Sequence, residues 1–184
     1  MKNPKKILIA NRGVIAIRAL RAAKELGYQV ASVYSTIDKD QKHLKLSDEA
    51  ICIGPAASKD SYLNEAAIIA AAELVGADAI YPGYGFLAEN SSFAEKCNQS
   101  GFKFVGPDPK VIEIMGDKIK AKELIESLGV PIVPGYTGNI QSQDQIENIV
   151  DEIGYPVIVK ASAGGGGKGM RVVEKKKDLW DCVI

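Results

Sequence analysis

The 184-residue sequence carries no excess of charge: 23 Lys and Arg balance 23 Asp and Glu. Without a general basic field, a nucleic-acid partner is not expected. The only dense basic run is 175–177. Histidine and cysteine are scarce as well. One histidine, His43, and three scattered cysteines, Cys52, Cys97 and Cys182, include no CxxC pair. That argues against structural zinc and against a disulfide framework. A Cys–His nucleophile would need His43 brought beside a cysteine, and no spacing suggests it. Long hydrophobic runs are missing. The longest reach about half a membrane span and are broken by polar residues, so no transmembrane helix is expected. The basic start, 1–6, is followed by a short apolar run at 7–10, too short for a signal-peptide core. The expectation is a cytoplasmic protein with no membrane partner. What is present, 46% hydrophobic and 25% charged residues, is an ordinary globular composition.

Short apolar runs then alternate with helical patterns. The spacing predicts strands over 6–10, 29–35, 50–53, 79–81 and 102–105, with helices over 14–26, 64–75 and 88–100. Asn64 is placed to cap the second helix, and Gly27 and Gly101 to end the first and third. Strands alternating with helices predict an α/β fold, a parallel sheet wrapped on both faces. Ligands gather at the carboxyl ends of such strands. Here those ends are Asn11-Arg12-Gly13, Ser35-Thr36 and Pro82-Gly83-Tyr84-Gly85. Arg12 either binds an anion or pairs with an acid and stabilises the first helix. Gly83 and Gly85 suffice to shape a tight turn with Tyr84 packed over it. Cys52, inside the apolar run 50–53, reads as a buried strand residue. Arg18 and Arg21 share a solvated helix face. His43 is expected on a surface loop, and 175–177 in solvent.

The texture changes near residue 108. Helices are expected over 109–115, 118–128 and 144–153, strands over 156–161 and 170–173, and helical character again from 177. Asp117 should cap the helix at 118 and Gly129 should end it. The two strands flank Ser162-Ala163-Gly164-Gly165-Gly166-Gly167-Lys168-Gly169. Consecutive glycines let backbone N–H groups approach an anion closely, and Lys160 and Lys168 add point charges suited to phosphate. The segment is not a Walker A loop or a Rossmann fingerprint. Gly169 stands where Ser or Thr belongs, and a strand follows where a helix should start.

These segments carry a resemblance. The glycine run after Lys160 resembles the flexible loop of ATP-grasp enzymes. Ile9-Ala10-Asn11-Arg12-Gly13, Tyr81-Pro82-Gly83-Tyr84-Gly85-Phe86-Leu87 with Glu89-Asn90, Phe104-Val105-Gly106-Pro107 and Met115-Gly116-Asp117-Lys118 resemble, in order, the signatures of biotin carboxylases. The resemblance implies a Rossmann-like N-terminal domain over 1–115 and the beginning of an α+β ATP-grasp domain over 116–184. It implies an ATP-dependent ligase that activates bicarbonate and carboxylates biotin held on a carrier. Its cofactors would be ATP, Mg2+ or Mn2+, and carrier-linked biotin. Its partners would be a biotin carboxyl carrier protein or domain, a carboxyltransferase component and a second copy in a homodimer. By the same resemblance Lys118, Lys160, Gly164, Gly165, Gly166, Gly167, Lys168 and Met170 bind ATP. Tyr84 and Glu89 line the bicarbonate and biotin entrance. No metal ligands and no catalytic groups are expected within these residues. The chain looks like an N-terminal fragment, inactive in isolation.

Val14 stands where many members carry Glu, and Ala163 where some carry Gly. Two other readings remain: a non-catalytic or dimerisation module, and another ATP-grasp ligase of carbamoyl-phosphate or purine-pathway type. The Asn-Arg-Gly start and the Pro-Gly-Tyr-Gly-Phe-Leu run speak against the latter.

Overall fold

The computed structural model describes residues 5–136, 138, 140–160 and 169–183, with the side chain of Lys118 excepted. It divides into two compact units, Met1–Ala121 and Lys122–Ile184.

In the first unit, β1 (Lys6–Ile9), α1 (Gly13–Glu25), β2 (Gln29–Ser35), α2 (Lys42–Leu46), β3 (Glu49–Gly54), α3 (Glu65–Leu74), β4 (Ala79–Tyr81), α4 (Ser91–Gln99) and β5 (Lys103–Phe104) succeed one another. They are followed by α5 (Pro109–Gly116) and by α6 (Lys118–Ser127), which runs across the boundary between the units. The five strands form one sheet in the order β3-β2-β1-β4-β5, every pair parallel. Alternation along β1 divides its side chains between two cores. Leu8 packs with Val33, Ile80, Ile68 of α3 and Phe93 of α4. Ile9 packs on the other face with Val30 and with Ala16, Leu20 and Ala23 of α1. Both faces are therefore covered, as the near-continuous apolar strands require.

The strand–helix junctions follow local chemistry. Asn64 accepts a hydrogen bond from Ala67 N–H, as its position suggests. The third predicted helix begins later than expected, at Ser91, because Asn90 accepts from Phe93 N–H at 2.9 Å and fixes the first turn there. At the amino edge of the sheet, carboxylates bind backbone donors. Asp78 Oδ2 accepts from Lys5 and Lys6 N–H at 2.7 and 2.9 Å. Asp48 accepts from Lys24 Nζ and from Val30 N–H, both at 2.8 Å. The Lys24 and Val30 bonds hold Asp48, and the Lys6 and Lys5 bonds hold Asp78, below the usual carboxylate range.

Two expectations fail here. Cys52 is exposed, not buried. β3 is an edge strand whose inward positions are Ile51 and Ile53, so period-two alternation turns Cys52 outward. His43 is fully buried on α2, a helix the sequence reading missed. One of its ring nitrogens, Nε2, lies 3.3 Å from Val33 O, while Nδ1 has no partner among the described residues. Burial lowers its pKa, against the Val33 bond and the charge of Asp38.

In the second unit, α7 (Gln143–Ile153) precedes β6 (Val157–Lys160) and β7 (Met170–Val173), an antiparallel pair, and α8 (Trp180–Val183) follows. Ile146 and Val150 of α7 pack with Val157, Val159, Val173 and Leu179. Lys176, exposed as expected, also pairs with Asp151 at 2.7 Å and Glu147 at 3.4 Å. Those acids lie one helical turn apart on α7 and converge on one ammonium.

Candidate functional site

In the first unit the carboxyl ends of β1, β2 and β4 meet. Asn11, 1% exposed, donates from Nδ2 to Pro82 O at 2.7 Å and Tyr84 O at 3.0 Å. Its Oδ1 accepts from Arg12 N–H at 2.8 Å. Gly83 (φ 72°) and Gly85 (φ 70°) give the turn its shape, as the sequence suggested. Tyr84, however, does not pack over it: the residue is 65% exposed. Asn11 already fills the space beneath the turn. Glu89 is exposed as well.

Of the two roles left open for Arg12, the structure shows pairing with an acid. Its Nη1 lies 3.1 Å from Asp38 Oδ2. Asp38 sits in a 3-10 turn after β2, only 4% exposed. Ser35 Oγ and the Tyr62 hydroxyl donate to the same oxygen, each at 2.7 Å, and Gln41 Nε2 donates to Oδ1 at 3.2 Å. Burial alone would raise the Asp38 pKa. The bonds from Ser35, Tyr62 and Arg12 reverse this and hold it below the ordinary value. The same burial and the neighbouring carboxylate push Tyr62 up to about 12. The Arg12 guanidinium lies over the rings of Tyr62 and Phe86, 5.2 and 5.5 Å from their centroids. Those two rings stack at 4.9 Å. The sequence reading missed Asp38 and Tyr62, and gave Phe86 only as part of the Tyr81–Leu87 signature. Asp38 and Tyr62 stand 24 residues apart, so no local spacing links them.

The second unit presents a different surface. The register opposes Ile158 to Val172 and Lys160 to Met170. Period two turns these four side chains to the face opposite the core. Ile158, Met170 and Val172 are 55%, 47% and 64% exposed, and Lys160 is exposed too. The result is an aliphatic platform ending in an ammonium group, where the glycine-rich segment begins. Such a face suits a ligand that is flat and apolar at one end and anionic at the other. Lys160 and Met170 were singled out from sequence. Ile158 and Val172 were not, although counting by twos from the other pair would have found them. Gly164, Gly165, Gly166, Gly167 and Lys168 lie outside the described residues, as does the side chain of Lys118, the first residue of α6. Among the described residues no group of three or more His, Cys, Asp or Glu could hold a metal ion. None of their helices is long and apolar enough to cross a membrane.

Comparison with known proteins bears on both surfaces. Residues 117–184 match the family described as the ATP-binding domain of the carbamoyl-phosphate synthase L chain. A biotin carboxylase of Haemophilus influenzae is 57% identical over 180 residues, 97% of this chain and 40% of the relative. The crystal structure of a biotin carboxylase–beta-gamma-ATP complex from Campylobacter jejuni superposes with a TM-score of 0.87 at 54% identity, covering 98% of this chain and 40% of that one. The biotin carboxylase domain dimer of Hydrogenobacter thermophilus 2-oxoglutarate carboxylase, in complex with MgADP, ADP and bicarbonate, gives 0.84 at 49% identity, with the same coverage. The chain thus spans about 40% of the length of these relatives. Residues 3–112 match the biotin carboxylase N-terminal domain, and the chain belongs to the biotin carboxylase family.

Proposed function

We propose that this chain supplies the leading part of an ATP-dependent biotin carboxylase, a ligase that activates bicarbonate with ATP and carboxylates carrier-linked biotin. Residues 1–115 would form its first domain and 116–184 the opening of its ATP-grasp domain. The observation that carries the reading is the β6–β7 face. Ile158, Val172 and Met170 offer aliphatic contact to a purine, and Lys160 meets the phosphates at the end where the glycines begin. Gly164, Gly165, Gly166, Gly167, Lys168 and Lys118 join the ATP-binding set by their match to the family's motifs. A loop that closes over the phosphates would exclude water from an activated carboxyl intermediate.

Tyr84 and Glu89 are the proposed entrance for bicarbonate and biotin; both are exposed at the carboxyl edge of the sheet, where ligands of such folds collect. Mg2+ or Mn2+ would bind with the phosphates of ATP, and among the described residues no group of three or more His, Cys, Asp or Glu could hold it. The outer face of α1, with Val14 75% exposed beside Arg18 and Arg21, supports a homodimer contact. A biotin carboxyl carrier and a carboxyltransferase component are the further partners proposed, in a cytoplasmic setting.

Calorimetric titration of the chain with ATP tests the nucleotide site. Saturable binding that weakens about tenfold or more in Lys160→Ala is expected, as for loss of a charge-assisted phosphate contact. An identical isotherm for the variant would remove Lys160 from the site.

A further inference from the structure

We infer that Asp38 and Tyr62 are positioning residues, forming with Arg12 a latch that holds the Phe86 side of the β4–α4 loop and so sets the placement of Tyr84 and Glu89. The functional half of this inference rests on the proposed role of those two residues as an entrance.

Three separate segments converge on the latch. Ser35 ends β2, Asp38 lies in the turn after it, Arg12 follows β1, and Tyr62 lies between β3 and α3. Tyr62 is 1% exposed; its hydroxyl donates to Asp38 and accepts from Ser35 N–H at 3.1 Å. Its ring then stacks on Phe86 at an interplanar angle of 15°. Phe86 has φ 42°, the one non-glycine residue with positive φ among the described residues. A phenylalanine stays in that region only where its surroundings over-determine it. The stacked Tyr62 ring and the Arg12 guanidinium, which lies within reach of both rings, supply that constraint.

The charge also needs an explanation that packing does not provide. A buried carboxylate is costly to desolvate, and apolar groups of the same volume serve stability at least as well. What a carboxylate adds is direction. Asp38 Oδ2 fixes three donors at once, and two of them, Tyr62 and Arg12, hold the loop through Phe86. On the opposite side Asn11 holds the Pro82 and Tyr84 carbonyls. The loop is therefore held from both flanks, while Tyr84 between them projects into solvent.

Residue-resolved amide exchange and NMR of the chain test this. In the folded protein, Ala88 and Asn90 N–H are bonded to Gly85 and Leu87 carbonyls at 2.9 and 3.2 Å. In Asp38→Asn their exchange should accelerate roughly tenfold relative to amides of α3, because the loop opens locally. The ring-current shift of the Arg12 guanidinium should be lost with it. Tyr62→Phe keeps the stack and removes only the hydroxyl, so a smaller acceleration confined to the same amides is expected even if Asp38→Asn folds poorly. Unchanged loop exchange in Tyr62→Phe, or acceleration spread equally over α3, overturns the latch. Bicarbonate and free biotin are then titrated separately into the unaltered chain. If the variants loosen the loop but neither titrant shifts Tyr84 or Glu89, the latch stands and the entrance reading fails. If a titrant shifts them in the unaltered chain and Tyr62→Phe weakens that binding, both stand.

Discussion

Gly83→Ala and Gly85→Ala make a matched pair. Both glycines lie in left-handed backbone, at φ 72° and φ 70°, where an L-residue costs roughly 1–2 kcal/mol. Stiffening of the unfolded chain returns about 0.4–1 kcal/mol in each case. The space around them differs. A Cβ on Gly85 meets nothing within 4 Å, whereas one on Gly83 sits 2.7 Å from Ile15 Cγ2 and 3.0 Å from Asn11 Nδ2. Neither atom retreats easily. Cγ2 of Ile15 is fixed to a branched β-carbon in the first turns of α1, and Asn11 Nδ2 is committed to two carbonyls. Overpacking of this kind adds about 1–3 kcal/mol. Gly85→Ala should therefore cost about 1 kcal/mol and Gly83→Ala about 2–4 kcal/mol. Urea unfolding followed by circular dichroism measures both. For a chain of this size each kcal/mol lowers Tm by about 2–4 °C. Equal losses from the two substitutions would refute the idea that Asn11 is wedged beneath the turn.

Acid should weaken the fold first through His43. Its imidazole is held neutral when folded, but takes up a proton near pH 6.5 when unfolded. The unfolded state then binds more protons, so stability drops as pH falls below 6.5. His43→Gln should flatten that limb of the urea midpoint against pH, and a limb as steep as in the unaltered chain would count against it. The Asp38 contribution, present above 3.8, is lost only at lower pH. Asn90→Ala should cost about 1–2 kcal/mol in the same unfolding assay, and more than Asn64→Ala. It removes both the Phe93 cap and the bond from Asn90 Nδ2 to Glu65 at 3.1 Å. Leu179→Ala, at a residue fully buried against α7 and β7, should cost about 2–5 kcal/mol. Emission from Trp180, the chain's single tryptophan and a neighbour in that cluster, reports the loss.

Much of the architecture was legible because its signals are local. β2, β4 and β7 match their expected spans, and Asn64 and Asp117 cap the helices they were assigned to. What escaped depends on distant partners. The five-residue helix α2 is too short for a periodic pattern, and so the burial of His43 behind it was invisible. The exposure of Cys52 follows from β3 lying at the sheet edge, and strand order is not written in any one strand. The candidate site divides in the same way. Lys160 and Met170 carried a sequence signal. The Asp38 cluster is assembled from residues as far apart as Arg12 and Phe86, and no spacing announces it.

The carboxylates at the amino edge of the sheet give the first unit a useful asymmetry. Asp48 and Asp78 each bind backbone next to one strand start, far along their strands from Arg12, Asp38 and Tyr84. Losing either loosens the paired starts of two neighbouring strands and leaves the opposite edge to its own bonds. A mutational library can therefore be split by edge. Randomising the amino edge should yield variants that differ in thermal tolerance, while randomising the exposed positions of the carboxyl edge, such as Tyr84 and Glu89, should yield variants that differ at the proposed entrance. The two screens can be run apart and their winners combined, since sites this well separated contribute additively.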